Sequence, residues 1–103
     1  MILNAAEEFI EHVKGRTVTC AFVQSEHCAD LKLPKVVLKK GYTVEDYERF
    51  LDHLGFDYEA GYGSQELTGT IWFDDGSWST RGEYDGSEWW ENHKRPPITA
   101  DLK

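Results

Sequence analysis

The chain has 103 residues and a mass of 11.9 kDa, which is the size of a single domain (1–103) with one hydrophobic core. Hydrophobic residues make up 40% of it and aromatic residues 14%, which excludes a disordered chain. Its 19 acidic and 11 basic residues give a net charge of −8, so we expect no direct binding to duplex DNA.

Two further features of the sequence concern the compartment in which the protein works. No apolar run approaches the roughly 18 residues of a membrane span, and residues 1–14 carry glutamates where a secretion signal would be basic and then apolar. Cys20 and Cys28 are too few for a disulfide framework, so we expect both thiols to be reduced. The sequence therefore predicts a cytoplasmic protein with no membrane partner.

A helix and a strand are predicted in the first part of the chain. Apolar residues recur at helical spacing over residues 5–14, with Asn4 placed to cap the start and Gly15 to end the helix. Residues 17–23 are β-branched and aromatic, which indicates a strand. The predicted apolar face of this strand consists of Val18, Cys20 and Phe22.

The middle of the chain predicts a loop, an edge strand and a second helix. Residues 24–30 are polar and indicate the loop, whereas residues 33–40 carry valines between lysines, which is typical of an edge strand. The second helix is predicted over residues 44–54, with a Thr43 cap and Gly55 as its terminator. Its predicted apolar stripe is formed by Val44, Tyr47, Phe50, Leu51 and Leu54.

A hairpin is predicted after a Gly- and Tyr-rich loop at residues 56–66. Asp75-Gly76 is typical of a two-residue turn, and such a turn pairs Phe73 with Trp78. The core face in this register consists of Leu67, Ile71, Phe73, Trp78 and Tyr84. The predicted solvent face consists of Thr68, Thr70, Trp72, Asp74, Ser77, Ser79, Arg81 and Glu83.

A second turn signal, Asp85-Gly86, predicts a third strand from Ser87 to Glu91, before an irregular tail at residues 94–103. The elements in chain order are then α-β-β-α-β-β, with this further strand at the end. Such an order indicates an α+β fold in which two helices pack on one face of a mostly antiparallel sheet.

Acidic residues are concentrated in the middle of the chain. Residues 41–91 contain 13 acidic and two basic residues, whereas residues 1–40 carry a net charge of +1 and residues 92–103 of +2. Acidic side chains on outer faces often do no more than keep a protein soluble. A concentrated negative field also steers association with basic surfaces, so the segment is consistent with a basic protein partner.

Large aromatic residues are concentrated in the last third of the chain. Trp72 is the apolar exception on the predicted solvent face, where we expect a cation–π contact with Arg81. Trp89 and Trp90 are adjacent, so an extended strand points them to opposite faces and leaves one outside the core. The candidate partner-binding residues combine these aromatics with nearby charges: Trp72, Asp74, Asp75, Arg81, Glu83, Asp85, Glu88, Trp89, Trp90 and Glu91.

No catalytic, cofactor or metal site is predicted. Cys20, His27 and Cys28 lack the paired spacing of a zinc site, and neither cysteine is placed as a nucleophile beside a histidine. Asp74 and Asp75 precede a glycine, so turn formation explains them without an acid–base role. The sequence contains neither a phosphate-binding glycine loop nor a Gly-x-Ser-x-Gly turn.

The last third also contains a distinctive pattern: GTIWFDDGSW at residues 69–78, RGEYDGSEWWE at residues 81–91 and PPI at residues 96–98. This pattern resembles the C-terminal ending of small accessory proteins of tailed bacteriophages. The resemblance carries no defined activity and transfers no functional residue. It implies a protein made in the bacterial cytoplasm during infection, where small acidic proteins often bind host factors or defence enzymes.

Three functions are consistent with these observations. The first is a non-enzymatic binding protein, a phage modulator or inhibitor of a host or antiviral protein, that presents the acidic segment 41–91 and exposed aromatics to a basic partner. The second is a small-ligand module in which Trp72, Trp89 and Trp90 stack on a sugar or a base. The third, ranked last, is an enzyme that uses a pair of carboxylates.

Overall fold

This computed structural model describes residues 2–25, 35–59, 67–84 and 87–94. Two helices lie within these ranges, α1 (Ala5–Val13) and α2 (Val44–His53). The strands in the same ranges are β1 (Ile2–Asn4), β2 (Val18–Ser25), β3 (Val36–Leu38), β4 (Asp57–Glu59), β5 (Leu67–Phe73), β6 (Trp78–Tyr84) and β7 (Ser87–His93). Cys28, the Asp85-Gly86 turn and the predicted tail from residue 95 onward lie outside the described residues.

Five of these strands form one antiparallel sheet in the order β3-β2-β5-β6-β7, and β1 pairs with β4 in a separate antiparallel sheet. Together with the helices they make an α+β fold, which confirms the predicted class. The lysine-flanked strand β3 lies at an edge of the sheet, as predicted. Strands β1 and β4 were not predicted, because three residues are too few to show a clear alternation.

The two helices cover the same face of the five-stranded sheet. Phe9 of α1 meets Phe50 of α2 with ring centroids 5.1 Å apart, and Phe9 also lies 6.2 Å from the ring of Trp90 on β7. Apolar side chains of the sheet complete this core. The largest fully buried apolar side chains, from the helical segments and the sheet together, are Phe9, Phe50, Leu38, Leu54, Leu67, Ile71, Val23 and Val36.

Both helices begin at the predicted caps. The Asn4 side chain accepts a hydrogen bond from the Glu7 N–H at 3.1 Å. Thr43 and Asp46 form a reciprocal capping box, in which each side chain accepts from the other residue's N–H at 3.1 and 3.0 Å. These local hydrogen bonds explain why the starts of the helices could be predicted from the sequence.

The predicted end and apolar stripe of α2 need correction. The Leu54 N–H donates to the carbonyl groups of Phe50 and Leu51, and Gly55 does not adopt a positive φ, unlike Gly15. Val44 is 72% exposed and lies outside the core. Side chains lean toward the N-terminus of a helix, so the first helical residue points past the end of the packed surface.

The predicted apolar face of β2 is also wrong beyond its first residue. The pairing of β2 with β5 shifts between Val18 and Cys20, as it does at a β-bulge. This shift turns Ala21 and Val23 toward the core and leaves Cys20 and Phe22 half-buried on the opposite side. The Cys20 thiol is free.

The hairpin between β5 and β6 forms, but its turn has three residues and its register differs by one from the prediction. The Phe73 N–H donates to the Ser77 carbonyl at 3.0 Å, and the strand pairs are Ile71 with Ser79 and Trp72 with Trp78. Gly76 has a φ of +86°, which suits the left-handed position of a three-residue turn. The Asp75 carboxylate accepts from both the N–H and the hydroxyl of Ser77, which stabilises this longer turn.

The changed register exchanges the two faces of β6, because successive side chains on a strand point to opposite sides. The inner face, toward the helices, carries the polar side chains of Ser77, Ser79 and Arg81. The outer face carries Trp78, which is half-buried, and Tyr84, which is 77% exposed. The predicted assignment of Trp78 and Tyr84 to the core, and of the two serines and the arginine to the solvent, is therefore wrong.

The third strand of the meander is present as β7. Its two adjacent tryptophans point to opposite faces, as predicted: Trp90 is 8% exposed and Trp89 is 39% exposed. The indole of Trp89 rests against Gly82 of β6, where an added Cβ would lie 2.6 Å from the indole nitrogen. Gly82 is thus needed for the position of Trp89.

Candidate functional site

A ladder of polar contacts joins α1 and its following turn to the inner face of β6. Its three contacts are Glu8 with Arg81, His12 with Ser79, and Arg16 with Ser77. Four residues of a helix advance by about 6 Å. Two residues of a strand advance by about 6.6 Å. Because these steps nearly agree, side chains at every fourth position of the helical segment meet alternate side chains of the strand. We call these three contacts the polar ladder.

The first contact of the polar ladder belongs to a buried charged cluster. The Arg81 side chain is 1% exposed and contacts the carboxylates of Glu8 and Glu88, the latter with 3.4 Å between Nη2 and Oε1. Arg81 also donates to the Tyr58 hydroxyl oxygen at 2.9 Å. The Glu88 side chain is fully buried and accepts from the Leu67 N–H at 2.9 Å. Two carboxylates thus share one guanidinium in a site with little access to water.

Tyr58 and Trp90 complete this cluster. The Tyr58 hydroxyl lies within hydrogen-bonding distance of both carboxylate oxygens of Glu8, at 2.7 and 2.9 Å. Burial, followed by this interaction with Glu8, raises the pKa of Tyr58 well above its usual range. The Arg81 Cζ atom lies 5.1 Å from the centroid of the Trp90 ring, and the Arg81 Nε is buried without a hydrogen-bond partner. Such an unsatisfied buried donor lowers the net stability that the cluster contributes.

The second contact of the polar ladder pairs a histidine with a serine. The Nε2 atom of His12 lies 2.8 Å from Ser79 Oγ, which also accepts from the Asn92 side-chain amide at 3.2 Å. Burial, followed by the positive charges of Arg16 and Arg81, lowers the pKa of His12. Ser79 has no exposed surface, so no substrate carbonyl can reach its hydroxyl in this structure. The pair joins α1 to β6 through a buried hydroxyl.

The third contact lies beside the three-residue turn. Arg16 Nη2 donates to Ser77 Oγ at 2.9 Å, and its guanidinium carbon lies 3.5 Å from the centroid of the Phe73 ring. The Ser77 hydroxyl in turn donates to the Asp75 carboxylate, and these hydrogen bonds from Ser77 lower the pKa of Asp75. Asp75 is thus held as an acceptor in the turn.

An open cleft of about 410 Å³ lies between α1 and β7, next to the polar ladder. Its described lining residues are Leu3, Asn4, Glu7, Glu8, Glu11, His12, Trp89 and Trp90. Three of these residues are glutamates, and none is a lysine or an arginine. Glu7 and Glu11 are exposed, so their charges face solvent, whereas Glu8 contacts Arg81. We call this feature the acidic cleft.

The outer face of the sheet carries a row of ring side chains, Phe22, Trp72, Trp78 and His93, which we call the outer aromatic row. Trp72 is 42% exposed, and its ring lies 6.2 Å from that of Phe22. Trp78 pairs with Trp72 across the strands and stacks on His93 at 5.8 Å. Trp89 is not part of this row, since it lies four residues from His93 along β7 and packs over Gly82.

The structure divides the ten predicted partner-binding residues into three groups. Those with exposed side chains are Trp72, Asp74, Asp75, Glu83, Trp89 and Glu91. The side chains of Arg81, Glu88 and Trp90 are buried on the inner face, which differs from the exposed positions that the prediction gave them, and Trp90 lines the acidic cleft. The predicted cation–π contact between Trp72 and Arg81 is wrong, because the one-residue change in register places them on opposite faces. Asp85 lies outside the described residues.

The glutamates of α1 were missed as candidate site residues. The first 40 residues are nearly neutral in sum, which hid the local cluster of Glu7, Glu8 and Glu11. Their spacing contained a usable signal, because residues four apart in a helix share one face. No local pattern indicated β7 as the opposite wall of the cleft, since that wall depends on tertiary packing.

Comparisons with known proteins add no relative to this description. No protein-family model, curated protein or solved structure matches the chain. Among the described residues, neither helix is long and apolar enough to cross a bilayer. The same residues contain no group of three or more histidine, cysteine or acidic side chains placed to hold a metal ion.

Proposed function

We propose that the protein is a non-enzymatic binding protein whose acidic cleft takes up a lysine- or arginine-containing segment of a basic protein partner. The observation that carries this proposal is the lining of the cleft, which contains three glutamates and no cationic side chain among the described residues. Bringing a cationic group to Glu7 and Glu11 gives favourable charge pairing at an exposed site.

The charge of the rest of the molecule supports the same partner. The chain carries a net charge of −8, and exposed acidic side chains such as Glu83 and Glu91 lie on the neighbouring strands. This field raises the rate of encounter with a basic surface and weakens as salt is added. If the resemblance to phage accessory proteins holds, the partner is a host or antiviral protein in the bacterial cytoplasm.

The outer aromatic row supports a second candidate function, the binding of a sugar or a base. Trp72 offers an exposed indole next to Phe22, which is suitable for stacking on a flat or apolar ligand surface. Trp90 does not contribute, because it is buried on the inner face. Salt separates the two candidates: binding of a basic peptide weakens at higher ionic strength, whereas stacking on a neutral ligand hardly changes.

Titration with a labelled lysine-rich peptide tests the cleft. The double variant Glu7→Gln/Glu11→Gln should lower the affinity about tenfold, which is ~1.4 kcal/mol. The matched control is Glu45→Gln/Glu48→Gln, which makes the same change of charge on two exposed residues of α2 that do not line the cleft. Equal losses in both variants would show diffuse attraction without a specific site, and would refute the proposal.

A further inference from the structure

We propose that the basic segment binds as an additional β-strand along β7, with its cationic side chains directed at Glu7 and Glu11. This inference rests on the proposed function and specifies how the partner is held. Addition of a strand to a sheet edge uses main-chain hydrogen bonds for affinity and alternate side chains for specificity.

The position of β7 in the sheet supplies the edge. It is the last strand in the order β3-β2-β5-β6-β7, it has seven residues, and β6 is its neighbour among the described residues. The bond from the Phe73 N–H to the Ser77 carbonyl shows that the backbone groups of Ser77 point toward β5. Those of Ser79 and Arg81 therefore do so as well. In an antiparallel sheet these directions alternate, so the backbone groups of Trp90 and Asn92 point away from β6, toward the side of β7 on which the described residues place no further strand.

The spacing of the glutamates matches the spacing of side chains on such a strand. Glu7 and Glu11 are one helical turn apart, which is about 6 Å along α1. Alternate side chains of an extended strand are separated by roughly 6.6 Å. The protein already uses this match in the polar ladder, where Arg81 of β6 meets Glu8 of α1. An added strand beside β7 extends the same arrangement by one more strand.

Charge argues against a second copy of this chain as the occupant. Pairing two β7 edges would bring together two sets of the exposed glutamates Glu7, Glu11 and Glu91, and like charges at a strand interface are destabilising. A strand with lysine or arginine at alternate positions removes this repulsion. The side chains of that strand between the cationic positions would lie on the outer face of the sheet, next to Trp89. This neighbour favours β-branched or aromatic residues at those positions.

Backbone-methylated peptides test the inference. The probe is a seven-residue peptide with blocked ends that alternates lysine with valine or threonine. Two isomers have the same side chains and charge: one is N-methylated at the lysines and the other at the intervening residues. Because an added strand pairs through one of its edges, one isomer should lose at least about tenfold in affinity while the other stays within about twofold of the parent. Equal effects in the two isomers, whether both bind or both fail, would overturn the strand addition.

Hydrogen exchange on the full-length protein provides a second measurement. The parent peptide should slow the exchange of the Trp90 and Asn92 amides, while the amides of Trp89 and Glu91, which face β6, should change little. Unchanged exchange at Trp90 and Asn92 with saturating peptide would contradict strand addition. A peptide with glutamate in place of lysine tests the proposed function separately from strand addition. If the glutamate peptide binds as well as the lysine peptide, the acidic cleft does not select basic segments and the proposed function fails.

Discussion

The two faces of β6 differ in a way that opposes the usual arrangement of a sheet. The inner face meets α1 through Ser77, Ser79 and Arg81, and the Arg81 side chain is 1% exposed. The outer face carries Trp78 and the largely exposed Tyr84. The comparison teaches that a polar side chain can occupy the buried face when the helix opposite supplies its hydrogen-bonding partner. Polarity alone therefore does not determine which face of this strand is buried.

The largest expected effect concerns Arg81. Arg81→Ala should lower the free energy of unfolding by about 3–5 kcal/mol, because it removes the guanidinium that the buried Glu88 and Glu8 share. Trp78→Ala removes a larger side chain from the outer face and should cost less than about 2 kcal/mol. Urea unfolding measures both values. If Trp78→Ala costs as much as Arg81→Ala, the distinction between the two faces is not energetic.

Smaller effects are expected from two single variants, each of which removes one hydroxyl group from one face of β6. Ser79→Ala should lower the free energy of unfolding by about 1–3 kcal/mol, because His12 and Asn92 lose a partner at a fully buried position. Thr80→Ala is the matched control, since it removes an outer-face hydroxyl that contacts His93. A larger loss for the control would contradict the importance of the polar ladder.

The polar ladder should also make stability depend on pH on the acid side. The folded protein lowers the pKa of His12 from its ordinary value of 6.5, so the unfolded chain binds a proton first as the pH falls. This contribution to stability is present above pH 6.5 and is lost as the pH falls through the lowered pKa, with a slope of at most ~1.4 kcal/mol per pH unit. Urea unfolding at several pH values should show that His12→Asn reduces this slope. An unchanged slope would exclude His12 as its source.

The smallest expected effect concerns Trp72. Because it is 42% exposed on the outer face, Trp72→Ala should cost only about 1 kcal/mol and leave the protein folded. Its neighbour Ile71 has no exposed surface on the inner face, so Ile71→Ala should cost about 2–5 kcal/mol. Thermal unfolding of the two variants compares the faces at adjacent positions. Similar losses would mean that Trp72 is buried in solution.

Local signals in the sequence predicted the fold better than the faces of its strands. The Asn4 cap, the capping box of Thr43 and Asp46, and the lysine-flanked edge strand all depend on residues close together in sequence, and the structure confirms each of them. The order of the strands and the short pair β1–β4 depend on distant parts of the chain. No local pattern could therefore supply them.

The buried charged cluster around Arg81 was not predicted, mainly because one turn was predicted with one residue too few. Asp74-Asp75-Gly76 is compatible with both two- and three-residue turns, and the hydrogen bonds between Asp75 and Ser77 favour the longer one. A change of one residue inverts every side chain of β6, which moved Arg81 from solvent into the core cluster. The aromatic residues Trp78 and Tyr84 reinforced the wrong register, since their size is typical of core positions.

The unequal contacts of the polar ladder determine where α1 can lie along the sheet. A shift of α1 by one helical turn toward one end of β6 would place His12 beside Arg81. Glu88 would then be the one carboxylate of this cluster left beside the guanidinium. A shift the other way would place Glu8 against Ser79 and separate it from Arg81. Either alternative leaves a buried charge poorly compensated. The polar ladder therefore favours the observed position of α1 along β6 over a shift by one helical turn.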